Sequence, residues 1–126
     1  METTKLTILA VSETIMEAIK YHKLDNHLLE SHTYNGVEGE IGDNKWIGNQ
    51  IYIKFPYDIN SEEGKLLYDK LFQKIILKLD KLENEYPDEI EEPTWEIIIL
   101  PNGNSKHKGI TNLLHIDIDI ILKEKF

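Results

Sequence analysis

The run Leu113 to Leu122 constrains the fold of this chain more than any other segment. Leu114, Ile116, Ile118, Ile120 and Leu122 take the even positions, and His115, Asp117 and Asp119 stand at odd positions between them. A period of two belongs to a strand that buries one face and not the other. Such a strand needs a sheet, and the sheet needs an apolar cover. The cover is legible upstream. Leu67, Leu71, Ile75, Leu79 and Leu82, with Phe72 and Ile76, recur at helical spacing, while Lys70, Lys74, Lys78 and Lys81 occupy a different face. This predicts an amphipathic helix that packs on something flat. Asn60 with Glu63, or Ser61, caps its start, it runs to about Glu85, and Pro87 lies just beyond.

The remaining elements are read the same way. Leu6 to Val11 is short, apolar and partly β-branched, which predicts a buried strand. Thr14 and Glu17 have the spacing of a capping box, with Ser12 as a competing cap, and Ile15, Ile19, Leu24, Leu28 and Leu29 trace an approximate helical stripe to about Glu30. Asp25-Asn26 interrupts it, which allows two shorter helices. His32 to Ile41 is weakened as a strand by Gly36 and Gly39. Gly42-Asp43-Asn44 is a turn signal, and Trp46 to Phe55, closed by Pro56, is a second hairpin arm. Thr94 to Leu100 is a strand by composition, and Pro101 to Gly109 a loop. The predicted order is β-α-β-β-α-β-β in one domain spanning residues 1–126. This gives the α+β class, an antiparallel sheet of about five strands with two helices on one face, in the ferredoxin-like arrangement of elements. That element order carries no function with it.

Composition narrows the chemistry. The chain has 126 residues, no cysteine and a formal net charge of −9. Disulfides, thiolate metal sites and cysteine nucleophiles are therefore excluded. All 14 Lys and Arg positions are lysine, so the bidentate guanidinium fork that reads phosphate and guanine is absent. Together with the negative charge this opposes nucleic-acid and anionic-membrane binding and favours a basic protein partner. No apolar run reaches membrane-spanning length and Met1-Glu2-Thr3-Thr4 is no basic leader, so a cytoplasmic location is expected. The GxSxG, GxGxxG, HExxH and P-loop patterns are all missing.

Three groups of residues carry candidate chemistry. Residues 83–92 contain Glu83, Glu85, Asp88, Glu89, Glu91 and Glu92 without a lysine, and Tyr86 and Ile90 lie among them. Acids with embedded apolar anchors suit docking on a basic protein, charge steering the encounter and the anchors holding it. Lys106, His107 and Lys108, in a loop with Gly103 and Gly109, supply cations and turn amides of the kind that hold phosphate. His115, Asp117 and Asp119 share one strand face, and imidazole with carboxylates suits a divalent metal that activates water. The plainer reading of that face is simply the wet side of a sheet.

These features rank three functions. First is a small acidic binding module without a cofactor that inhibits or neutralises a basic partner, such as a nuclease or defence effector, in toxin immunity or as a phage-encoded anti-defence protein. Second is a metal-assisted hydrolase built on His115, Asp117 and Asp119. Third is an assembly subunit of a phage or mobile element, self-associating through an edge strand such as residues 113–122.

Overall fold

A computed structural model describes residues 5–126. Helix α1 spans Ile8–Tyr21, and a 3₁₀ turn at Asp25–His27 leads into strand β1, Leu28–Asn35. Strand β2 is Asn44–Lys54, helix α2 Glu62–Glu85, strand β3 Ile90–Leu100 and strand β4 Leu113–Lys125. All strand pairs are antiparallel and the sheet order is β1-β2-β4-β3. The α+β class therefore holds, with four strands and two α-helices among the described residues. The five-strand, ferredoxin-like order does not, because its first strand is absent: residues from Ile8 onward are helical. The four residues Met1 to Thr4, on which the leader expectation falls, lie outside the described residues.

Helix α1 takes over the apolar run because its stripe is continuous. Val11, Ile15, Ala18 and Ile19 are all buried at helical spacing. Thr7, rather than Thr14 or Ser12, is the cap, its side chain accepting the Ala10 N–H at 3.0 Å. Thr14 lies mid-helix, and its hydroxyl donates to the Ala10 carbonyl. The helix stops at Tyr21, nine residues short of the predicted Glu30. Lys23 in left-handed backbone, with Leu24 N–H donating to Ile19 O and Lys23 N–H to Lys20 O, closes it.

Helix α2 agrees with its sequence pattern. Ser61 caps it, accepting the Gly64 N–H at 3.0 Å, and Leu71, Ile75, Leu79 and Leu82 are buried. Both helices lie on one face of the sheet, closing a single hydrophobic cluster with Ile47, Ile51, Ile53, Leu114, Ile116, Ile118 and Ile120. Asn49 is the one polar side chain buried there among the described residues, and its amide donates to the Thr33 hydroxyl at 2.7 Å. Strand β4 pairs with β2 on one side and β3 on the other. It is an inner strand, so residues 113–122 offer no edge for self-association; the edges are β1 and β3. Pro93 is tolerated in β3 because that strand has a free side. No helix among the described residues is long and apolar enough to cross a membrane.

Candidate functional site

The helices cover one face of the sheet and leave the other open. Register places Glu30, His32 and Tyr34 of β1 beside Tyr52, Gln50 and Gly48 of β2. Next come His115, Asp117 and Asp119 of β4, then Ile98, Glu96 and Thr94 of β3. The alternation in β4 is thus realised as expected, and its polar half lies in the middle of this face.

Two close approaches shape the surface. The Tyr34 ring lies over Gly48 so closely that a Cβ there would enter it. Tyr52 stacks on His115 with ring centroids 4.4 Å apart and planes 7° from parallel. The aromatic side of the face therefore borders the acidic side directly.

The acidic side lacks internal neutralisation. Glu96 pairs across the sheet with Asp117, an unfavourable juxtaposition of like charges. Among the described residues no lysine forms an ion pair with Glu96, Asp117 or Asp119; the lysine pairs go to Glu124, Glu17, Glu85 and Glu30. One Asp117 carboxylate oxygen and the His115 Nε2 are shielded from solvent without a hydrogen-bond partner. Burial, reinforced by Asp117 and by Glu40 of the β1–β2 loop, pushes the Asp119 carboxyl up. Burial and the same three carboxylates (Asp119, Asp117 and Glu40) push the Tyr34 phenol up.

That field fixes a pH dependence. A carboxyl whose pKa is raised on folding favours the fold while protonated, and that contribution is lost as pH rises through its folded value. Ionised Asp119 therefore opposes folding at neutral pH. Asp119→Asn is expected to raise stability at pH 7 by about 0.5 kcal/mol. The gain should fade below about pH 4, where aspartate is protonated in both states. Urea titrations of both proteins at pH 7 and pH 3.5 check this; a gain of equal size at both values would contradict it.

His115, Asp117 and Asp119 share the face as the spacing required, but they do not gather. No group of three or more His, Asp or Glu side chains among the described residues is placed to hold a metal ion.

The loop between β3 and β4 folds back over the end of the open face. The Asn104 Oδ1 accepts the backbone N–H groups of Lys106 and His107 at 3.1 and 2.6 Å. Lys106 reaches Glu30 at 2.6 Å, and the His107 ring lies 3.3 Å from the same carboxylate and 5.0 Å, centroid to centroid, from Tyr52. The amides and cations read as a phosphate cradle are thus committed to Asn104 and Glu30. Lys108 alone stays exposed with no ion pair among the described residues. The sequence showed the loop's cations but not Glu30, their partner, which lies 76 residues away from Lys106.

Residues 83–92 are divided among the end of α2, the turn that follows it and the start of β3. Glu83 and Glu85 end α2, Glu85 facing Lys81 at 3.8 Å. Tyr86 is half-buried against the core, and Ile90 is part of it at 3 % exposure. The two apolar groups expected to anchor a partner are therefore occupied by the protein itself. The Glu89 carboxylate accepts the Leu6 N–H at 2.9 Å and ties the entry of α1 to β3. Asp88, Glu91 and Glu92 remain exposed at the start of the β3 edge.

The fold and this face define an α+β protein with a half-covered sheet and an acidic, aromatic open side. The chain matches no protein family model and no curated protein.

Proposed function

We propose that this protein is a binding module that neutralises a basic protein partner through the open face of its sheet, as an inhibitor or immunity-type protein does. The observation that carries the reading is the carboxylate group Glu96, Asp117 and Asp119, half-shielded or exposed and unpaired among the described residues. Carboxylates held this way are disfavoured by their neighbours until a cation arrives. A lysine or arginine from a partner relieves the repulsion among these carboxylates. Tyr34 and Tyr52, half-buried on the same face, add apolar surface beside which the alkyl stem of such a side chain can lie. Asp88, Glu91 and Glu92 extend the negative field along the β3 edge and steer approach. A nuclease or other effector that holds phosphate with lysine and arginine has the matching surface, and a shared compartment, the cytoplasm, belongs to the same reading.

The test is affinity capture from native lysate at low and high salt, with crosslinking to map the contact. The expected result is one basic protein, retained at low ionic strength and shed at high, with crosslinks to the open face around Gln50, Glu96 and Asp117. Crosslinks confined to the α1–α2 side, or capture insensitive to salt, would overturn the proposal.

A further inference from the structure

On the far side of the molecule from the open face, the cations are gathered instead of the acids. A cavity of about 420 Å³ opens between the C-terminal end of α1, the turn after β2 and the first half of α2. Lys23, Lys70, His22 and His27 line it. In a chain of net charge −9 this is a local reversal of sign. Among the described residues neither Lys23 nor Lys70 is in an ion pair. The walls are apolar: Leu24 and Leu67 form part of them, and two of the protein's exposed large hydrophobics, Leu66 and Tyr57, stand at the rim. Glu63 is the one carboxylate on the lining.

Lys23 carries a second, independent signal. It sits at the left-handed position that closes α1, with φ at 59°. That position ordinarily belongs to glycine, because a side chain there crowds its own backbone. Asn112, the other described non-glycine residue with positive φ, is of a type that tolerates it. A lysine held there at a conformational cost, with its side chain on a cationic cavity, is placed for what that side chain does.

We propose that this cavity binds a phosphate monoester joined to a flat ring, the chemistry of a nucleoside monophosphate. Lys23 and Lys70 take the phosphate charge, Tyr57 lies against the ring, and Glu63 accepts from a ring amine or sugar hydroxyl. The volume suits a ligand of that size. Burial, with Lys70 and Lys74 adding to it, pushes the His22 imidazole down, while a hydrogen bond to the Lys70 backbone opposes them. His22 is therefore a neutral hydrogen-bonding group at pH 7, and the charge on the phosphate falls to the lysines.

Calorimetric titration with AMP tests this, with inorganic phosphate and adenosine as separate arms. AMP is expected to bind saturably and at least about tenfold more tightly than either half alone. Lys70→Met should weaken AMP by about tenfold with little change in Tm. Lys23→Gly should weaken AMP similarly while raising Tm by about 3 °C, because glycine removes the backbone strain. Absence of saturable AMP binding, affinity equal in both variants to that of the parent, or inorganic phosphate binding as tightly as AMP would each overturn the proposal. This site is independent of the open sheet face, so either assignment stands or falls alone.

Discussion

Replacing Gly64 with alanine is expected to destabilise the protein by about 2–3 kcal/mol, although alanine is the better helix former. Gly64 is the third residue of α2 and is buried. A Cβ there would run into the backbone carbonyl oxygen of Asp58, which cannot rotate away as a side chain would. That carbonyl accepts the Ser61 N–H at 3.0 Å and the Ser61 hydroxyl at 2.6 Å, and the same Ser61 oxygen caps the Gly64 N–H. The intruding methyl group therefore adds overpacking and also dislodges the cap, two penalties that fall together. Helix propensity returns only about 1 kcal/mol in the other direction. Urea unfolding of the variant decides the sign; an increase in stability would mean that the turn before α2 yields freely.

The second large effect is on binding. Glu96→Lys combined with Asp119→Lys should lower affinity for a basic partner by about 100-fold or more, because attraction becomes repulsion at the centre of the face. The fold should survive, since the change breaks no ion pair among the described residues and separates acids that now repel. A matched reversal at Glu13 and Glu62, exposed acids on the helices, changes net charge equally and should alter affinity only modestly. If both double variants weaken binding alike, net charge alone drives association, and the open face has no special part in it.

The sequence patterns that carried over to the structure are those with a long, uninterrupted period. Leu67 to Leu82 and Leu114 to Ile120 each repeat often enough to leave one interpretation, and both elements form where expected. Leu6 to Val11 was ambiguous because six apolar or β-branched residues suit a strand and a helix equally. What settles it is Val11, which continues the Ile15, Ala18 and Ile19 stripe backwards by one turn. Leu24 and Leu28 looked helical because they extend that stripe forwards. The break at Lys23 was hidden because lysine occupies a position where glycine would have announced it. Strand β3 begins at Ile90, four residues before Thr94, since Pro93 on an outer strand costs no ladder bond that matters.

The candidate face was half legible. The spacing of His115, Asp117 and Asp119 gave their common orientation, but spacing along one strand says nothing of which strands lie beside it. Tyr34, Tyr52 and Glu96 join the group only through pairings between distant segments. The acidic run at 83–92 misled in the opposite way: its charges are adjacent in sequence, yet Glu89 serves an internal hydrogen bond and Ile90 the core.

The inner position of β4 also sets the order in which the protein can assemble. The β1–β2 hairpin is local and can form early, but β3 touches the rest of the sheet only through β4. The β2–β4 register joins residues roughly sixty to eighty positions apart, from Lys54 with Leu113 outward to Asn44 with Lys125. The entropy of closing that loop, which contains all of α2 and β3, must be met before any central ladder bond forms. Folding is thus completed late, when β4, paired with its neighbour β3, joins β2 of the first hairpin. On a ribosome, that places the step after β4 has emerged, with the apolar stripe of α2 waiting for the surface that will cover it.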